Sequence, residues 1–133
     1  MSKSILMAMA LSIVLANPAA SQEGTAKPDP PLLQQLSKEF PKGDELEARV
    51  MTATLQPGMS SPWHTHAAPV IVYVLEGTLS LELDSFTKTL RAGQAQLEPI
   101  STRMRAVNSS DKPVKVLIVQ ISDPKEPFMN PVQ

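Results

Sequence analysis

Polar and apolar side chains alternate along much of the chain from residue 45 onward. The clearest case is the segment Thr78–Leu83, in which polar residues alternate with three leucines. Successive side chains of a strand point to opposite faces, so this pattern predicts a strand with one buried face. Residues 45–55 show the same period and stop at Pro57 and Gly58, which predicts another strand that ends in a turn.

Two further segments, residues 70–75 and 114–121, are almost continuously apolar and predict strands that are buried on both faces. Short strands are predicted over residues 86–90, 94–98 and 104–108, and a turn at Asp84 and Ser85 predicts a hairpin between residues 78–83 and 86–90. Residues 32–40 suit either a short amphipathic helix or a first strand, and we favour the strand. Short strands separated by Gly, Pro, Asp and Ser predict an all-β fold, an antiparallel sandwich or barrel.

The two ends of the chain differ in composition from this predicted domain. Residues 1–21 combine Lys3, a short apolar core and small residues before Ser21, a pattern typical of a cleaved secretory signal peptide. The apolar core is shorter than the roughly 20 residues that span a bilayer, so we expect an exported protein, periplasmic or secreted, with no stable membrane anchor after cleavage. A hydrophobic first helix of the fold is the alternative. Residues 22–31 are expected to be a flexible spacer, residues 32–122 the domain, and residues 123–133 a tail over the surface or a partner.

Composition excludes several classes of function. Lys and Arg number 12 against 13 Asp and Glu, so the basic excess of an electrostatic nucleic-acid binder is missing. The chain contains no cysteine, which removes disulfides, thiolate catalysis and thiolate metal sites. With 133 residues it is long enough for one domain with a single core.

The chain's two histidines, His64 and His66, are its strongest chemical signal. In an extended segment, residues two apart project from one face, so both imidazoles would offer ligands to the same metal ion. The alternative is a pair of histidines that are hydrogen-bonded in a polar cavity. No pairing of a nucleophile with a base is visible, and the catalytic residues are unassigned.

At these residues the sequence resembles the cupin family. The first cupin motif, Gly-x5-His-x-His-x(3 or 4)-Glu-x6-Gly, is matched except that Val70 occupies the place of the glutamate; a second motif, Gly-x5-Pro-x-Gly-x2-His-x3-Asn, is matched in part, with a serine for its second glycine and a methionine for its histidine. The matching and altered positions are Gly58, His64, His66, Val70, Gly77, Gly93, Pro99, Ser101, Met104 and Asn108. The resemblance implies an antiparallel double-stranded β-helix, or jelly-roll barrel, and one transition-metal ion per chain.

The altered positions indicate which ion the site would favour. Two imidazoles with the thioether of Met104 form a soft, neutral donor set, which favours Cu(I), with Zn, Ni or Fe as alternatives. Met104 as a plain core residue remains the competing interpretation. Glu98 and Gln96 are second-choice ligands, because they share a polar face of the predicted strand 94–98, and that face is expected to point outward.

Three functions remain open from the sequence. The first is an exported cupin that binds or handles copper without catalysis; the second is a metal-dependent oxidoreductase resembling small cupin dioxygenases; the third is a metal-free cupin that binds a small organic ligand. A homodimer is predicted as well, because a small two-sheet barrel has one interior and cannot cover both faces of residues 70–75 and of the last strand.

Overall fold

The computed structural model describes residues 27–133, so the predicted signal peptide and the first part of the predicted spacer lie outside the described residues. The described chain contains nine strands and no helix. The strands are β1 (Glu47–Leu55), β2 (His64–Thr65), β3 (Val70–Glu76), β4 (Thr78–Leu83), β5 (Thr87–Arg91), β6 (Ala95–Glu98), β7 (Met104–Val107), β8 (Val114–Ser122) and β9 (Asn130–Pro131).

The strands form two antiparallel sheets that face one another. One sheet has the order β1-β8-β3-β6 and the other has the order β5-β4-β7-β2-β9. All paired strands are antiparallel, and β4 and β5 form the hairpin predicted from Asp84 and Ser85. The prediction of an all-β, antiparallel jelly-roll barrel is therefore confirmed.

The core lies between the sheets and is aliphatic. Its central cluster takes residues from both sheets and comprises Val72, Val74, Leu79, Leu90, Val114 and Val116. Each such side chain contributes roughly 1.5–3 kcal/mol when it is fully buried, so the two apolar faces hold the sheets together. The alternation of leucines seen in the sequence of β4 is realised here, because Leu79 and Leu81 are both buried.

Glycine permits the tight connection between β3 and β4. Gly77 has a φ of 82°, and a Cβ built on it would lie 2.6 Å from the carbonyl oxygen of Pro113. A side chain at this position would both strain the backbone and collide with the neighbouring loop. Gly77 therefore allows the chain to pass directly from β3 in one sheet to β4 in the other.

Two expectations from the sequence are wrong. Residues 32–40 form neither a strand nor a helix. The side chains of Leu32 and Leu36 are exposed, and that of Leu33 is half-buried. Burial on both faces is also incomplete, since Leu75 of β3 and Ile121 of β8 are exposed. They point away from the single interior, and the outer face of the four-stranded sheet stays largely apolar, with Val50, Val119 and Ile71 as neighbours across three strands.

Among residues 27–133 there is no helix with the length and apolar character needed to cross a membrane.

Candidate metal and ligand site

A cavity of about 190 Å³ lies between the two sheets. Most of its wall is aliphatic or aromatic, and the polar groups are few. It is lined by Ala53, Leu55, Ser61, His64, His66, Val70, Val72, Leu79, Glu98, Ala106, Val116, Ile118, Phe128 and Met129. An apolar chamber with a few convergent polar groups is the usual form of a small-molecule site.

The two histidines enter this cavity from the five-stranded sheet. His64 is the first residue of β2 and His66 follows that strand directly; both are buried, and their ring centroids are 4.8 Å apart. His64 Nδ1 lies 2.8 Å from the carbonyl oxygen of Pro62, and His66 Nδ1 lies 2.8 Å from that of Phe128. A carbonyl oxygen only accepts, so each Nδ1 carries a proton and donates it. In the neutral imidazoles the lone pair is then on Nε2, the arrangement of a metal-ligating histidine.

The structure adds a carboxylate that sequence reasoning placed outside. Glu98 is buried in β6, and its Oε2 lies 3.3 Å from His66 Nε2. The expectation that Glu98 points outward is wrong, because its partner across the sheet is Val70, whose side chain faces the cavity. Directly opposite residues share a face, so Glu98 supplies a carboxylate beside the position at which the cupin motif has its glutamate.

The contact between His66 and Glu98 brings a buried imidazole nitrogen close to a carboxylate oxygen. Among the described residues, His66 Nε2 is a buried nitrogen with no hydrogen-bond partner, although Glu98 Oε2 lies 3.3 Å from it. A lone pair on Nε2 would face a negative oxygen in a water-poor setting, which is unfavourable. Either a proton on Nε2 makes an imidazolium–carboxylate pair, or a metal cation accepts both donors.

The remaining candidate ligands, Met104 and Gln96, do not line the cavity. Met104 is the cross-strand partner of His64 and is fully buried, but it does not line the cavity. Gln96 is half-buried at the free edge of β6; its amide oxygen accepts a hydrogen bond from Lys88 and its amide nitrogen donates to the Leu97 carbonyl. Gln96 lies opposite Val72, a cavity-lining residue, so it shares the inner face of β6 with Glu98 and the expectation that it points outward is wrong as well. Its amide is nonetheless bonded to Lys88 and Leu97, and it does not line the cavity.

The chemistry of the donors fits a transition-metal ion, but the present spacing of these side chains does not. Two imidazoles and one carboxylate suit Zn, Fe, Ni or Cu, and the orphaned His66 Nε2 is the atom that a metal would satisfy. Within residues 27–133, however, no three His, Cys, Asp or Glu side chains already stand close enough together to hold a metal ion. Binding by His64, His66 and Glu98 would require their side chains to draw together.

Sequence reasoning missed the part played by the C-terminal tail. Phe128 and Met129 line the cavity, and the Phe128 carbonyl orients His66. Gln120 of β8, which is 1% exposed, donates from Nε2 to the same carbonyl at 3.1 Å. The only signal in the sequence was Gln120, the one polar residue among residues 116–121 of β8.

The residues of the second motif act as scaffold. Asn108 is fully buried; its Nδ2 donates to the carbonyls of Leu55 and Lys112, and its Oδ1 accepts from Ser110. It therefore ties β1 to the loop before β8. Ser101, at the place of the motif's second glycine, keeps a φ of 51°, so the backbone turn is retained by a residue that pays a conformational penalty there.

Comparison with solved structures finds the same fold in proteins of different activity. A polyketide cyclase from Streptomyces resistomycificus aligns with 24% identity and a TM-score of 0.57, over 65% of this chain and 61% of the cyclase. A sugar phosphate isomerase of the cupin superfamily from Silicibacter pomeroyi aligns with 29% identity and a TM-score of 0.55, over 59% of this chain and 53% of the isomerase. An RmlC-like cupin with a double-stranded β-helix fold from Methanocaldococcus jannaschii has 20% identity and a TM-score of 0.55, over 59% of this chain and 72% of that protein. This chain thus spans less than two thirds of the cyclase and of the isomerase.

A search of curated protein sequences found no significant match. The family model for the cupin domain, in contrast, matches residues 51–120, just over half of the chain. The match includes both histidines, Glu98 and most of β8, and it agrees with the two-sheet architecture. The chain belongs to the cupin family.

Proposed function

We propose that this protein is a metal-binding cupin that holds one transition-metal ion with His64, His66 and Glu98 and accepts a small, largely apolar ligand in the adjoining cavity. The observation that carries the proposal is the buried His66 Nε2, which has no hydrogen-bond partner among the described residues and faces the buried Glu98 carboxylate at 3.3 Å. A metal cation would satisfy both groups at once.

The donor set favours ions of intermediate softness. With Glu98 in place of Met104 as third ligand, Zn(II), Fe(II), Ni(II) and Cu(II) are better matched than Cu(I). A bound ion would act as a Lewis acid toward a ligand oxygen. The chain's own part is to keep the protons of both histidines on Nδ1 and to exclude water with the apolar wall.

The cavity limits the ligand to a small molecule. A cavity of about 150 Å³ in another protein stays dry and takes up benzene, so a volume of about 190 Å³ accommodates a ligand of one ring or a short chain. The cyclase and the isomerase have similar folds but carry out different reactions, so the fold alone does not specify a reaction. A metal-dependent oxidation of such a ligand is one use of the site, and metal-free binding of it is the competing one.

Copper handling is the second candidate, and it depends on Met104. Met104 is the direct cross-strand neighbour of His64, so a thioether lies on the strand beside the first imidazole. An exported protein with two imidazoles and a thioether would suit Cu(I). We infer export from residues 1–21 alone, and intact-mass measurement of the exported protein tests it: a chain that retains residues 1–19 would refute cleavage.

The metal proposal is tested by competition titration against chelators of Zn(II) and of Cu(I), with the variants His64→Ala, His66→Ala, Met104→Leu and Met104→His. We expect either histidine variant to lose stoichiometric binding of both ions, and Met104→Leu to bind Zn(II) as the wild type does. If Met104→Leu loses affinity for Cu(I) but keeps its affinity for Zn(II), and Met104→His binds Zn(II) and Ni(II) more widely, the copper candidate is favoured. A wild-type chain that binds neither ion would refute both and leave the metal-free function.

We also propose a homodimer. Its support is the outer face of the four-stranded sheet, where Val50 is 67% exposed and Ile121 is 44% exposed. Uncovered aliphatic surface of this kind is commonly buried between subunits. Light scattering at tens of micromolar protein decides the matter, and a monomer would refute it.

A further inference from the structure

The C-terminal segment of residues 123–133, called here the C-terminal strap, crosses from one sheet to the other. It leaves β8 at Ser122 through a turn in which the Asp123 carboxylate accepts a hydrogen bond from the Lys125 amide at 2.8 Å. It ends beside the histidine strand, where β9 pairs with β2 and the Val132 amide donates to the Trp63 carbonyl at 2.8 Å. The strap is therefore fixed at both ends and bridges the sheets next to the cavity.

The middle of the strap is connected to His66 through the main chain of Phe128. The Phe128 carbonyl accepts from His66 Nδ1 at 2.8 Å and from Gln120 Nε2 at 3.1 Å. The amide oxygen of Gln120 in turn accepts from Arg49 at 3.2 Å. Because the carbonyl needs a donor and the guanidinium needs an acceptor, only one orientation of the Gln120 amide satisfies both neighbours.

The outer end of this connection is an ion pair. Arg49 bonds Glu47 at 2.8 Å, and that hydrogen bond lowers the pKa of the Glu47 carboxyl below its ordinary value. Arg49 is thereby held toward Gln120, and Gln120 toward the strap. The position of the Phe128 carbonyl is set by side chains of β1 and β8 as well as by the strap itself.

Two side chains of the strap form part of the cavity wall. Phe128 and Met129 are half-buried, whereas the other residues of the strap are exposed. The Phe128 ring centroid lies 5.2 Å from that of His66. Most of the strap thus gains little from burial, and its inward-facing part is confined to the residues that touch the site.

We propose that the C-terminal strap positions His66 and sets the size limit of the cavity: the Phe128 carbonyl holds the His66 proton on Nδ1, and the Phe128 and Met129 side chains exclude ligands larger than a single ring. The first half explains how Nε2 is kept available for a ligand and so rests on the proposed function. The second half depends on the cavity wall alone.

The first experiment compares the wild-type chain with a chain that ends at Ser122, and uses a chain that lacks only Gln133 as the control. Long-range proton–nitrogen NMR of His66 reports which ring nitrogen is protonated. We expect Nδ1 in the wild type and the control, and a mixed or Nε2-protonated ring after truncation. Zn(II) affinity should fall about 10- to 100-fold, as it does when a partner of a ligating histidine is lost.

Binding of benzene and of naphthalene, followed by NMR, tests the size limit without any metal. The wild type should bind benzene and exclude naphthalene, and the truncated chain should admit both. The double variant Phe128→Ala with Met129→Ala keeps the main-chain carbonyl and the full chain, so it should admit naphthalene with the His66 proton still on Nδ1. This variant also decides the size limit if the truncated chain fails to fold.

Gln120→Leu separates the positioning of His66 from the size limit of the cavity. It removes the second donor to the Phe128 carbonyl at nearly unchanged volume, and it should shift the His66 tautomer while naphthalene stays excluded. An unchanged tautomer in both Gln120→Leu and the truncated chain overturns the positioning role. Exclusion of naphthalene by the double variant overturns the size limit. A wild-type chain that binds no Zn(II) refutes the metal proposal instead, and the tautomer and naphthalene measurements then decide the strap by themselves.

Discussion

Replacing Glu98 by glutamine separates the two electrostatic states of the His66–Glu98 contact. The substitution keeps the volume and removes the charge of a carboxylate that lies 3.3 Å from His66 Nε2. If His66 is an imidazolium paired with Glu98, the variant leaves a buried charge without its partner, and the metal-free protein should lose about 3–5 kcal/mol of unfolding free energy. If His66 is neutral, the amide of the introduced glutamine can donate to the Nε2 lone pair. The metal-free protein should then lose less than about 1 kcal/mol of unfolding free energy. We expect the second result.

In the metal-bound protein the same substitution should cause a larger loss of stability. At a free Zn(II) concentration of 100 times the dissociation constant, binding stabilises the wild type by about 2.7 kcal/mol. A 100-fold loss of affinity in Glu98→Gln would reduce that gain to about 0.4 kcal/mol. Urea unfolding of both proteins, with and without Zn(II), should therefore show a difference of about 2.3 kcal/mol that appears only with the metal.

The matched control is Glu82→Gln, which makes the same chemical change at a carboxylate paired with Arg105. Glu82 does not line the cavity, so its variant should keep the full Zn(II)-dependent gain. An equal gain in Glu98→Gln and wild type would show that Glu98 is not a ligand. A large metal-free loss would identify the contact as a structural ion pair.

Three further predictions concern the scaffold, and urea unfolding measures each. Gly77→Ala should destabilise the fold by at least about 3 kcal/mol, because its Cβ would lie 2.6 Å from the Pro113 carbonyl oxygen. Gly58→Ala is the control: its φ is similar but the space around it is open, so it should lose only about 1–2 kcal/mol. Equal losses in the two variants would contradict the steric argument. Asn108→Ala should lose about 2–4 kcal/mol, since it removes a fully buried side chain and leaves the carbonyls of Leu55 and Lys112 without their donor. A loss below about 1 kcal/mol would refute its role in linking β1 to the loop before β8. Ser101→Gly should stabilise the protein by about 0.5–1 kcal/mol by relieving the strain of a φ of 51°, and destabilisation would count against that strain.

Local sequence predicted the strands and the histidine pair well. The alternation in β4 and the apolar runs of β3 and β8 depend only on which side chains can be buried, so they are visible in the sequence without a fold. The i and i+2 spacing of His64 and His66 places both on one face for the same reason. The resemblance to cupins, carried by these residues and by Gly58 and Gly77, then identified the jelly-roll architecture.

Tertiary structure alone decided which residues join the histidines. Glu98 faces the cavity because the register of β6 on β3 places it opposite Val70, and a shift of one residue would have turned it outward. Met104 was favoured over Glu98 from the sequence, and Gln96 was ranked with Glu98. Both lie opposite cavity-lining residues, His64 and Val72, yet neither lines the cavity. Phe128 reaches His66 across 62 positions of the chain, through a carbonyl that every residue type possesses and no sequence pattern marks. The periodicity of a strand specifies its faces, whereas strand register and the path of the tail depend on contacts between residues far apart in sequence, and those contacts determined the composition of the site.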